Sequence, residues 1–118
     1  MKWEFQDNND LVSKGEYKGE VEKGKPHGVG RFMSQNGRWK VEGEWEDGKL
    51  HGKAIKYYSN GEKVEYEIKD GKNNGRFVWH KKDGSRISIG WLKGLWHGKR
   101  RVYHSDGSMS EEEFRHGK

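Results

Sequence analysis

The 118-residue chain contains no cysteine, which excludes disulfides, thiolate metal sites and cysteine nucleophiles, and leaves a reducing and an oxidising compartment equally compatible with it. It also lacks any run of about 18 apolar residues of the kind that crosses a membrane as a helix. The opening Met1-Lys2-Trp3-Glu4-Phe5 has none of the apolar stretch of a secretory signal, so the expected location is cytoplasmic or membrane-peripheral. Apolar residues are scarce, 29% against 36% charged, and so little apolar surface rules out a thick globular core. Proline is nearly absent, with Pro26 alone. Disorder is nevertheless the wrong reading, because six Trp, five Tyr, four Phe and 18 evenly spaced Gly are not the composition of a solvated coil.

The glycines carry the organisation. One ladder runs Gly24, Gly48, Gly71, Gly94 and Gly117, at spacings of 24, 23, 23 and 23 residues. A second follows four residues behind at Gly28, Gly52, Gly75 and Gly98, and a third nine residues further on at Gly37, Gly61, Gly84 and Gly107. A fixed period in this range marks a repeat architecture. The third ladder lies in Asn36-Gly37, Asn60-Gly61, Asp83-Gly84 and Asp106-Gly107, which predicts hairpin tips with positive φ at both central residues. The stretches from Gly24 to Gly28, Gly48 to Gly52, Gly71 to Gly75 and Gly94 to Gly98 predict the opposite turns.

Between turns the residues alternate. Tyr17, Gly19 and Val21 share one face, as do Trp39, Val41, Gly43 and Trp45, then Val64, Tyr66 and Ile68, then Ile87, Ile89 and Trp91. Lys and Glu fill most intervening places, the pattern of an antiparallel sheet packed on one side and wet on the other. The segments after the second glycine alternate less cleanly, which leaves their facing open. The expected fold is all-β: one elongated antiparallel sheet of stacked hairpins, about 10 strands in meander order and roughly 45 Å long at about 4.8 Å per strand. Residues 1–16 form an N-terminal capping strand and loop, and residues 17–118 an array of about four and a half repeats.

Tyr17-Lys18-Gly19-Glu20-Val21-Glu22-Lys23-Gly24-Lys25-Pro26-His27-Gly28-Val29-Gly30 resembles the MORN motif, and Gly43, Trp45, Gly48, His51 and Gly52 repeat it in phase. The later repeats depart from it, with Tyr66, Ile89 and Glu112 at the strand glycine and Asn74 at the histidine, which implies a different curvature there. The resemblance implies a grooved sheet of hairpins used to scaffold proteins, to dimerise, or to approach phosphoinositide-containing membranes. It also permits service as the targeting array of a larger enzyme.

No constellation for catalysis is legible, so a non-enzyme without cofactor is expected. His27, His51, His97 and His116 repeat one position, but equivalent places lie about 9.6 Å apart, too far to share a metal that needs donors at about 2 Å, and turn or packing roles are expected. Charge is more informative. Residues 72–104 hold nine basic side chains against Asp83 alone, interleaved with Phe77, Trp79, Trp91, Trp96 and Tyr103. Lys81, Lys82, Arg86, Lys93, Lys99, Arg100 and Arg101 are the candidate contacts for an anionic lipid or acidic protein surface, with nucleic acid a weaker reading. Alternation can also send these charges to opposite faces, where they only solubilise. Trp96, in a turn, is the candidate contact aromatic, and the last strand, Met109 to Phe114, is a candidate self-association edge that Glu111, Glu112 and Glu113 would guard. The leading expectation is a non-catalytic scaffold for a protein partner or a homodimer.

Overall fold

The structure is a computed structural model describing residues 1–6, 12–69, 72–92 and 95–114, without the side chains of Leu92 and Phe114. Every regular element among them is a strand: β1 (Lys2–Gln6), β2 (Val12–Glu22), β3 (Lys25–Ser34), β4 (Trp39–Glu46), β5 (Lys49–Tyr58), β6 (Lys63–Lys69), β7 (Lys72–Asn73), β8 (Gly75–His80), β9 (Arg86–Leu92), β10 (Leu95–Trp96), β11 (Gly98–Tyr103) and β12 (Met109–Phe114). All belong to one antiparallel sheet in the order β1-β2-β3-β4-β5-β6-β8-β9-β11-β12, with β7 paired to β6 and β10 to β9. The two short pieces precede β8 and β11 after single-residue breaks at Asn74 and His97, so the meander has ten legs, as the glycine spacing predicts. The long dimension is 46 Å.

The turns are where expectation and structure part. At the Asn-Gly and Asp-Gly tips only the glycine has positive φ, 71° at Gly37, 95° at Gly61, 91° at Gly84 and 91° at Gly107. Each of these glycines donates its N–H to the carbonyl three residues before it, from Gly37 to Ser34 at 3.0 Å and from Gly84 to Lys81 at 3.2 Å, for example. That is a type I turn closed by a left-handed glycine, in which the Asn or Asp stays right-handed. Its side chain explains the preference: Asn36, Asn60, Asp83 and Asp106 each accept the backbone N–H two residues on, at 2.8 to 3.0 Å.

Two successive left-handed residues occur at the other end of the hairpins instead, at Lys23 (φ 53°) with Gly24 (76°) and Asp47 (φ 50°) with Gly48 (85°). The equivalent pairs of the next two repeats lie outside the described residues. The stretch from Gly24 to Gly28 is therefore not a turn throughout, since β3 already begins at Lys25. Gly28 sits inside the strand, and the register slips between Gly19 and Val21 opposite it. Beside the slip Val21 is exposed, at 54%, although alternation places it on the packed face.

The packed face is a single aromatic-rich cluster of Phe5, Tyr17, Phe32, Val41, Trp45, Leu50, Ala54 and Ile68. Phe32 and Ala54 turn to the packed side, whereas Val29 and Met33 of the same type of segment are exposed on the other face. Strands β1 and β4 are three places apart, about 14 Å on a flat sheet, yet the rings of Phe5 and Trp45 approach to 5.5 Å. The sheet therefore curls toward its packed face. Glycines on that face make room for rings: a side chain at Gly15 would strike Phe32, one at Gly30 would strike Tyr17, and one at Gly48 would strike Trp3, whose indole N–H donates to the Gly48 carbonyl at 3.2 Å. A thinner row continues through Tyr66, Phe77, Trp91 and Trp96, with successive centroids 6.1 to 6.3 Å apart. Rings laid over glycines give a one-layer sheet the buried area that a second layer would otherwise supply.

Candidate functional site

Opposite the packed face the sheet is polar. Glu42 and Arg31, adjacent across β3 and β4, pair at 3.8 Å, and Glu65 pairs with His80 at 3.2 Å. His27 and His51 reach Glu22 and Glu46 on the far side of their turns, at 3.2 and 3.7 Å. An open groove of about 900 Å³ runs along β1, β2 and β3, lined among others by Lys2, Glu4, Lys14, Glu16 and Met33. Its charges are of both signs.

The basic segment is divided by the sheet. Lys81 and Lys82 occupy the β8–β9 tip, where the Lys81 ammonium lies 5.5 Å from the Trp79 ring and the Lys82 N–H donates to Glu62 at 3.3 Å. Arg86 stacks on Tyr103 at 4.3 Å. Lys99 and Arg101 share the polar face with Arg86, because Arg101 faces Ser88 and Tyr103 faces Arg86 across the ladder, and alternation sends Arg100 to the other side. Lys93 lies outside the described residues.

The glutamates of β12 meet this basic stretch. Glu111 pairs with Lys99 at 3.3 Å and with Arg101 at 3.4 Å, while Glu112 pairs with Arg100 at 3.6 Å. All of these side chains keep solvent contact, so the pairs add little stability but reduce the local positive potential. Two carboxyls with shifted ionisation lie at the β8–β9 and β11–β12 tips: hydrogen bonds from Ser85 and from Ser108 hold the carboxyls of Asp83 and Asp106 below the usual range.

Trp96 is 38% exposed and packs edge-on against Trp91 with centroids 6.1 Å apart. The candidate edge strand is present: β12 is the last strand of the sheet among the described residues and has β11 as its neighbour, Met109 is half exposed, and Phe114 faces Gly98 in the backbone register. Its side chain lies outside the described set.

One cavity was not singled out from sequence. A recess of about 380 Å³ is lined by Arg76, Ser88, Gly90, Trp91, His97, Lys99 and Arg101 among others. The signal was nevertheless present, because Gly90 stands four residues before Gly94 where Glu20, Glu44 and Glu67 stand four residues before Gly24, Gly48 and Gly71.

Among known families, the model of the MORN repeat matches residues 17–37 and 42–63, the first two repeats. MORN repeats are in general non-catalytic modules associated with protein or membrane interaction. No curated protein matches the chain. Among the described residues no helix is long and apolar enough to cross a membrane.

Proposed function

We propose that this chain, which carries MORN repeats, is a non-catalytic scaffold that presents the polar face and free edge of a curled sheet to a protein partner or to a second copy of itself. The observation that carries the reading is the division of labour between the two faces. One side is committed to ring-on-glycine packing from Phe5 to Ile68, and the other holds solvated, oppositely charged ladders that serve no core. A sheet of this kind offers extended surface and edges rather than an enclosed pocket, which suits recognition more than chemistry.

Self-association through β12 is the version with a specific anchor, because Met109 is exposed and Phe114 lies on the same terminal strand. Light scattering of the full chain against Met109→Asp and Phe114→Asp tests it. A dimer that the substitutions convert to a monomer is expected. A chain that stays monomeric at high concentration removes self-association and leaves a different protein as the partner.

A second reading, peripheral binding to an anionic membrane surface, is favoured by Lys81 and Lys82 standing together on one exposed tip. It predicts salt-sensitive sedimentation with phosphatidylserine or phosphoinositide vesicles, since each basic residue near such a surface contributes about 1 kcal/mol. Equal sedimentation with neutral vesicles would end it.

A further inference from the structure

Each repeat opens the same gap in its hydrogen-bonded ladder. Pairing of β2 with β3 slips between Gly19 and Val21, pairing of β4 with β5 slips between Gly43 and Trp45, and pairing of β6 is interrupted between Glu65 and Ile68. In three repeats a glutamate from the chain itself fills the gap. The carboxylates of Glu20, Glu44 and Glu67 lie where a side chain on Gly28, Gly52 and Gly75 would stand, and in the first repeat Glu20 accepts the Val29 N–H at 3.3 Å.

The fourth repeat has the gap without the carboxylate. Pairing of β9 with β11 stops at Ser88 and resumes with β10 at Trp91, and the residue between that corresponds to the glutamates is Gly90. Its chain neighbours aside, no atom of the described residues lies within 4 Å of the place a side chain on Gly98 would take, in contrast to Gly28, Gly52 and Gly75. What surrounds the space has changed in the same direction. Arg76, Lys99 and Arg101 line it, and the Arg76 guanidinium donates to the buried Ser88 hydroxyl at 2.9 Å instead of pairing with a carboxylate of the described residues. The Trp91 ring belongs to the packed face, stacked between Phe77 and Trp96, so the recess is furnished by the cations and by Ser88. Glu111 is the one described carboxylate in ion-pair contact with Lys99 and Arg101, and Glu113 stands opposite Lys99 in the register, so three cations meet two carboxylates of β12.

We propose that this recess is a binding site for a carboxylate side chain, Glu or Asp, supplied by an acidic segment of the partner protein and occupying the position that Glu20, Glu44 and Glu67 occupy in the other repeats. The proposal rests on the scaffold reading and specifies its partner as acidic at the point of contact. A side chain is the favoured source because the equivalent gaps already hold a carboxylate on a side-chain tether, and here the cations Arg76, Lys99 and Arg101 line the space instead.

The probe is a hexaglutamate peptide titrated into the isotopically labelled full chain at low salt. The backbone amides of Ser88, Gly90 and Lys99 should shift together with saturation. Arg76→Gln with Lys99→Gln should weaken binding about tenfold more than Lys81→Gln with Lys82→Gln, which removes the same charge from the β8–β9 tip. Lys99→Gln alone gives the same comparison should the double variant melt early. Equal weakening by the two double variants overturns the proposal, because the attraction is then unspecific charge. Saturation that moves the tip residues and not Ser88, Gly90 and Lys99 overturns it too. Phosphatidylserine vesicles are the second arm: vesicle binding that depends on Arg76 and Lys99, with no peptide binding, transfers the site to lipid and overturns the acidic-protein assignment. Light scattering on the same samples separates the outcomes, since failed peptide binding with self-association intact leaves the scaffold reading standing.

Discussion

The phenol ring of Tyr17 lies directly over Gly30 of the neighbouring strand, and its hydroxyl donates to the Glu20 carbonyl at 2.6 Å. The indole of Trp45 reaches the same glycine from the other side, donating to its carbonyl at 3.0 Å. Gly30 is thus shared by two rings, and Tyr17, at 1% exposure, has nowhere to move. Gly30→Ala should cost about 1–3 kcal/mol through overpacking, and Tyr17→Phe about 1 kcal/mol through the lost hydrogen bond. Urea unfolding measures both, and an unchanged midpoint in Gly30→Ala would show that the rings do not depend on a bare backbone there.

The in-strand glycines allow a matched comparison. Gly52 and Gly98 both have strongly positive φ, 97° and 87°, so alanine strains the backbone at either place by about 1–3 kcal/mol. Only at Gly52 would the new methyl also meet a carboxylate, that of Glu44. Gly52→Ala should therefore lower the urea midpoint more than Gly98→Ala does. The reverse order would mean that the Glu44 side chain swings away freely.

Stability should fall at both ends of the pH scale, for opposite reasons. Asp83 and Asp106 are more acidic when folded, because Ser85 and Ser108 donate to the ionised form. Their contribution is present above about pH 3.8 and is lost as pH falls through the lower folded values. Tyr17 and Tyr58 are less acidic when folded, mainly because burial disfavours the phenolate and secondly because Glu20 and Glu62 repel it. Their contribution is full below about pH 10 and is lost as pH rises through the higher folded values. Urea midpoints across pH read this directly: Asp83→Asn with Asp106→Asn should flatten the acid limb and leave the alkaline limb unchanged.

Glu111 and Glu112 moderate the basic stretch more than they hold the sheet. Glu111→Gln with Glu112→Gln should change stability by less than about 1 kcal/mol per pair, as exposed pairs do. The same variant should bind phosphatidylserine vesicles more strongly, because Lys99, Arg100 and Arg101 lose their counter-charges. Unchanged sedimentation would mean that β11 does not face the membrane.

The sequence determined what is local. Turn chemistry repeats every 23 or 24 residues and alternation has a period of two, so the hairpin array, its ten legs and the packed identity of Tyr17, Val41, Trp45 and Ile68 are all properties of short segments. Only the tertiary structure decided how the legs curl, because the contact of Phe5 with Trp45 sums small twists over strands that no short window spans. It also decided which turn holds two left-handed residues. The Asn and Asp of the tips can cap the backbone two residues on while right-handed, whereas the chain at Lys23 and Asp47 reverses in two residues, where a left-handed pair matches the right-handed twist of its strands. The charge excess of residues 72–104 was plain in one dimension, but its partial offset by Glu111 and Glu112 and the missing carboxylate beside Gly98 follow from strand register, which brings together residues that are far apart in the chain.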